Sequence, residues 1–182
     1  MEEAVHRPKR ALPKFQGDLL DFHLRLVTNK NVRTGGVSVE DAAWIQEHFD
    51  VFNKLAAENQ AFRFALEAAI DWRFAKDARS AVARIWSGIE AIFGVTSELV
   101  YRISLLSACL LTERGDTRKA KFDEVKKLYG LRSKAVHGEQ LPEDKVALAL
   151  NDSYQLLADL LLLSINKGHV LGKRDFDEAV FW

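Results

Sequence analysis

From Ser38 onward, apolar residues recur every three or four positions, punctuated by helix caps and stops. That spacing belongs to helices. Ser38 heads the first, with Asp41 at the capping-box position and a stripe at Ala42, Ile45, Phe49, Phe52 and Leu55. Asn59 caps a second, through Phe62, Leu66, Ala69, Ile70 and Phe74. Asp77 caps a third, through Val82, Ile85, Ile89, Ile92 and Phe93, which stops at Gly94. Thr96 or Ser97 opens a fourth, with Leu99, Val100, Ile103, Leu106 and Leu110 inward. After the polar loop Glu113–Thr117, Asp116 or Thr117 caps a fifth. Pro142 fits the first position of a sixth, which ends near Gly168. The expected fold is all-α, an up-and-down bundle of about six or seven helices.

The flanks carry less pattern. Residues 1–17 form a polar arm, and His6-Arg7-Pro8-Lys9-Arg10 within it is basic. Such an arm is either a loosely docked terminus or a contact to RNA backbone. Asp18–Asn29 reads as a short helix, although alternation at Phe22, Leu24 and Leu26 leaves a strand open. Thr34-Gly35-Gly36 is a turn. Phe176–Trp182 is a partly apolar tail, and Phe181 and Trp182 are placed to dock or meet a partner. Residues 18–182 form one domain, without internal repeat, low-complexity tract or interdomain linker.

Composition sets limits on function. The chain has 182 residues, 48% hydrophobic and 29% charged, an ordinary globular balance. Twenty-six basic residues offset 26 acidic ones, so no global field draws it to nucleic acid or membrane. The single cysteine, Cys109, excludes an internal disulfide and a cysteine-rich metal site, and it lies in an apolar run that buries it. The histidines lack metal-ligand spacing, and no phosphate-cradling glycine loop is present. No cofactor or metal is expected. Met1–Arg10 is charged and no signal peptide is visible. The apolar stretch Leu156–Ile165 is too short to span a bilayer and contains Asp159. The expectation is a soluble cytoplasmic protein without a membrane partner.

One helix breaks the apolar rule. With about 100° per residue, Phe122, Val125, Tyr129 and Val136 share a face, and Arg132 falls at its centre. A guanidinium there is costly unless an anion meets it. Ser133 and His137, four apart, lie side by side on the flank. Lys134 sits between them, and Gly138 ends the helix. Glu90, one turn beyond Trp86 on the third helix, is a candidate partner for Arg132. The patch combines a cation, a hydroxyl and an imidazole.

The string Leu128-Tyr129 through Arg132-Ser133 to Val136-His137-Gly138 resembles the signature of the HEPN superfamily, in its Apea-like branch. Arg84-Ile85-Trp86-Ser87-Gly88-Ile89-Glu90-Ala91-Ile92-Phe93-Gly94 is similar to the branch's preceding helix of apolar, small, Glu and apolar-Phe positions. The likeness covers Arg79–Lys167. It implies an all-α up-and-down bundle that often dimerises across the motif helices. It also implies a metal-independent endoribonuclease, with RNA as substrate, in a defence or toxin-like stress system with an antitoxin or other partner protein. Arg132, Ser133 and His137 would be catalytic, with Glu90, Tyr129 and Lys134 in support. Active members more often carry Asn, Asp or His where Ser133 stands.

The chemistry suits the residues. Histidine exchanges protons near neutral pH. The arginine fork matches phosphate oxygens. One histidine per chain cannot readily serve as both base and acid, so a homodimer joining two motifs would complete the site. Two alternatives stand beside this reading. One is a non-catalytic HEPN module binding RNA, nucleotide or a partner protein. The other is a structural helical dimer in which Arg132 pairs with Glu90 and His137 sits at a helix C-terminus.

Overall fold

The computed structural model describes residues 37–139 and 141–181. The expected basic arm, the Asp18–Asn29 segment, the turn at 34–36 and Trp182 lie outside the described residues. Among the described residues seven helices follow in order: α1 Val39–Glu58, α2 Gln60–Asp71, α3 Ala78–Phe93, α4 Leu99–Leu111, α5 Asp116–Val136, α6 Glu143–Lys167 and α7 Lys173–Phe181. A 3-10 turn, Trp72–Phe74, joins α2 to α3. No strand occurs among the described residues, and the all-α expectation holds.

Local chemistry sets several boundaries where the sequence places them. Ser38 and Asp41 form a reciprocal capping box at 3.0 Å in both directions. The Asn59 side chain accepts from the Phe62 N–H at 3.0 Å, and Asp77 accepts from the Ser80 N–H at 2.8 Å. Gly94 and Gly168 end α3 and α6 at φ 58° and 73°, a region that favours glycine.

Other starts differ. α4 begins at Leu99, behind Glu98 at φ 52°, and neither Thr96 nor Ser97 caps it. α5 has Gly115 at its cap, which places Asp116 and Thr117 inside the helix. Pro142 stands just before α6 rather than in its first turn.

α3 is the central element and packs against α2, α5 and α6. Its Val82, Ile85, Trp86 and Ile89 are buried. Trp86 reaches α6, where its Nε1 donates to Ser153 Oγ at 2.9 Å. Against α2 the approach is close. A Cβ on Gly88 would stand 2.8 Å from Ala68 Cβ and 3.3 Å from Ala65 Cα. The buried face of α2 is therefore Phe62, Ala65 and Ala68, while the expected Ile70 and Phe74 are exposed. The 3-10 turn ends the α2 register and sets Trp72 against Tyr154 of α6.

α1 is also rotated from expectation. Leu55 is buried and Phe52 half-buried, but Ala42, Ile45 and Phe49 face outward. The inward row is Trp44, His48, Val51 and Leu55. Trp44 stacks on His48 with centroids 4.5 Å apart and donates to Asn166 of α6 at 3.2 Å. Two interleaved rows run along α1, and the Trp44–Asn166 hydrogen bond to α6 selects between them.

α6 is long and apolar enough to cross a membrane by length and composition alone. Here Leu156, Leu157 and Leu160 lie in the core, whereas Leu148 and Leu162 are exposed.

The tail forms a helix that no sequence pattern indicated. Asp175, only 3% exposed, accepts from the Gly172 N–H at 3.0 Å. Lys167 Nζ and His169 Nε2 approach the same carboxylate at 3.2 and 2.9 Å. Phe176 packs on Phe93. At the far end, Arg114 and Arg118 donate to the Val180 and Ala179 carbonyls at 3.0 and 3.3 Å. These are orphan acceptors of a helix terminus.

Opposite outcomes are expected at two helical glycines. Gly88→Ala forces Ala68 and Ala65 away and should destabilise by about 1–2 kcal/mol. Gly130 has nothing within 4 Å of an added Cβ, so Gly130→Ala should stabilise by about 0.5–1 kcal/mol. Chemical denaturation of both variants checks the pair.

Acid should loosen α7. Burial pushes the Asp175 carboxyl up, but hydrogen bonds from Gly172, His169 and Lys167 outweigh it and hold it below the ordinary 3.8. A depressed carboxylate stabilises fully above its unfolded value and loses that contribution as pH falls through the folded one. Asp175→Asn should cost about 2 kcal/mol at neutral pH. The difference from wild type should narrow below about pH 4, as thermal melts in a pH series would show.

Candidate functional site

The C-terminal half of α5 carries the motif. Val125, Leu128, Tyr129 and Ala135 are buried, and Arg132 lies among them. At the helix end the Gly138 N–H donates to the Ala135 carbonyl and the Glu139 N–H to the Lys134 carbonyl, at 3.3 and 3.0 Å. Gly138 holds φ 79°, and the pattern is a Schellman stop.

Arg132 meets the anion that its position demands. Its Nη2 lies 3.2 Å from Glu90 Oε1 on α3, and the two side chains are 22% and 25% exposed. The guanidinium also sits over the Tyr129 ring, 5.4 Å from the centroid. Tyr129 stands edge-on to Trp86, with centroids 5.2 Å apart. A continuous chain of contacts thus runs from Ser153 on α6 through Trp86 and Tyr129 to Arg132 and back to Glu90. Burial pushes the Tyr129 hydroxyl up; Arg132 opposes that shift and Glu90 reinforces it. The phenol stays protonated at neutral pH.

The pair is not a saturated fork. Arg132 Nε is shielded from water and has no hydrogen-bond partner among the described residues, and Nη2 meets Glu90 Oε1 at ion-pair distance without the alignment of a hydrogen bond. A bidentate arginine–carboxylate pair would use both.

The remaining motif residues are not gathered around Arg132. Ser133 is half-buried on the flank, and its carbonyl accepts the His137 N–H at 3.0 Å. His137 is exposed at the C-cap. Lys134 is exposed and faces Glu139 at 3.9 Å, away from the Arg132–Glu90 contact. Five helical residues separate Arg132 from His137 by about 7.5 Å of rise and about 140° of rotation. Val136 is 47% exposed, so the expected apolar face opens where the bundle stops covering it.

Of six sequence-derived positions, the structure joins Glu90, Tyr129 and Arg132. It leaves Ser133, Lys134 and His137 along an open flank. Trp86 and Ser153, which support Tyr129 (Trp86 Nε1 donates to Ser153 Oγ and its ring meets Tyr129 edge-on), were not among the sequence-derived site positions. Among the described residues no cluster of three or more histidine, cysteine, aspartate or glutamate side chains could hold a metal.

No protein-family model matches the chain, and no curated protein or solved structure matches it.

The Glu90 contact should be worth stability in proportion to its partial burial. Glu90→Ala strands a three-quarters-buried guanidinium and should cost about 1–3 kcal/mol. Tyr129→Phe keeps the ring beneath Arg132 and should change stability by less than about 0.5 kcal/mol. Urea denaturation of the two variants tests that ordering.

Proposed function

We propose that this chain is a HEPN-type, metal-independent endoribonuclease that acts as a homodimer on RNA. The observation that carries the proposal is a partly open guanidinium on the same helix as an exposed imidazole. A guanidinium is kept charged and partly open at the centre of an apolar face, with an exposed imidazole at the end of the same helix. A purely apolar residue at position 132 would pack that face at lower desolvation cost.

In this mechanism one His137 takes the proton from the RNA 2′-hydroxyl. The 2′-oxygen attacks phosphorus, and the phosphorus–5′-oxygen bond breaks. The partner's His137, in its protonated form, gives a proton to the departing 5′-oxygen. The Arg132 guanidinium neutralises charge on the pentavalent phosphorane, and Ser133 hydrogen-bonds a phosphate oxygen or orients the imidazole. The products are a 2′,3′-cyclic phosphate and a 5′-hydroxyl. The separation of Arg132 from His137 within one chain supports completion of the site by a second copy. Glu90 and Tyr129 hold Arg132. The cellular setting suggested by the resemblance is a cytoplasmic defence or toxin-like system with an antitoxin or other partner.

A second reading is favoured by the 3.2 Å approach of Glu90: the pair keys α3 to α5 and has no substrate.

Purified protein incubated with single-stranded RNA in EDTA distinguishes them. Wild type should yield cyclic-phosphate ends, and Arg132→Ala or His137→Ala should slow cleavage by about 10²-fold or more. Absence of cleavage by wild type, or cleavage indifferent to both substitutions, sinks the ribonuclease reading. RNA bound but left intact would identify a non-catalytic module.

A further inference from the structure

A second feature lies outside the Arg132 patch. The C-terminal end of α3, one face of α4, one face of α7 with the loop before it, and the α1–α2 junction line an open groove of about 720 Å³. That volume is within the range of small-molecule sites, roughly 300–1,000 Å³. Its walls are apolar: Ile92, Leu105, Leu106, Phe176 and Val180. Two cations, Arg102 and Lys173, stand at its rim and are exposed.

Neighbouring cations are matched by carboxylates. Arg174 meets Glu178 at 3.3 Å, and Lys167 meets Asp175 at 3.2 Å. Among the described residues, neither Arg102 nor Lys173 has a carboxylate within ion-pair distance. Asp177 also lines the groove. It leaves a rim with two positive charges against one negative, which attracts an anionic head.

The groove is held open from both sides. Asp175 anchors the start of α7 through Gly172, His169 and Lys167. Arg114 and Arg118 anchor its end through the Val180 and Ala179 carbonyls. Phe176 therefore keeps its place against Phe93 without having to fill the cavity. A preformed apolar groove gains affinity because its walls need no ordering on binding.

We propose that this groove binds an amphipathic monoanion, a medium-chain carboxylate whose alkyl body lies along Leu105, Leu106, Phe176 and Val180 and whose head meets Arg102 and Lys173. The site is independent of the RNA chemistry proposed above.

Decanoate is a suitable probe, with decanol as its uncharged analogue. Titrated into the full chain and followed by calorimetry and methyl NMR, decanoate should bind at one saturable site. It should shift the Leu105, Leu106 and Val180 methyls. Decanol should bind at least about fivefold more weakly. Arg102→Glu/Lys173→Glu, a change confined to exposed side chains, should keep the melting temperature and weaken decanoate at least about tenfold. Non-saturable binding, equal binding of decanol, or affinity unchanged in the charge-reversed variant overturns the proposal.

Discussion

A guanidinium placed where a helix should be apolar is the constraint on which the centre of this bundle turns. Arg132 can occupy the inward face of α5 only because Glu90 reaches it from α3 and the Tyr129 ring lies beneath it. Tyr129 in turn rests edge-on against Trp86, and Trp86 is fixed by Ser153. Three helices are thereby held in one register by a path of polar and aromatic contacts. Apolar packing supplies most of the stability of such a core, but it is tolerant of sliding. The directional contacts specify which arrangement the packing adopts.

Much of the fold was legible because it is encoded over three or four residues. Ser38 with Asp41, Asn59, Asp77, Gly94 and Gly168 each act on the backbone within one turn, and each marks a helix end where expected. The misreadings arise where the deciding partner is distant in sequence. Trp44 is drawn inward by Asn166, 122 residues away, and this turns Ile45 and Phe49 outward. Helix α7 is short and polar in its first turn, and its buried anchor, Asp175, is recognisable only once Lys167 and His169 have been folded back against it. Glu98 and Gly115 open their helices through backbone conformation rather than a capping side chain, a device without a local residue signature.

The site was legible in the same uneven way. The mismatch between Arg132 and its apolar face pointed to an anionic partner, and Glu90 is that partner. Lys134, by contrast, was grouped with the site because it is adjacent in sequence, yet helical geometry turns it toward Glu139. The exposure of His137 and Val136 at the end of α5 could not be read from periodicity, because it depends on where the neighbouring helices stop. In the proposed function, the half-open arginine and the surface histidine on α5 form half of a catalytic set. Under the proposed function, a second copy of the chain provides the rest.

Burying an ion pair is a poor way to stabilise a bundle, because desolvation offsets most of the attraction. If Arg132 and Glu90 are retained for chemistry, an apolar pair should fold at least as well. The most direct measurement is therefore made on Glu90→Leu/Arg132→Met, with thermal stability and RNA cleavage recorded on the same preparation. The expected double variant melts at or above the wild-type temperature and no longer cleaves RNA. A double variant that cleaves as wild type does, or one that melts well below it, would contradict a catalytic reason for the pair.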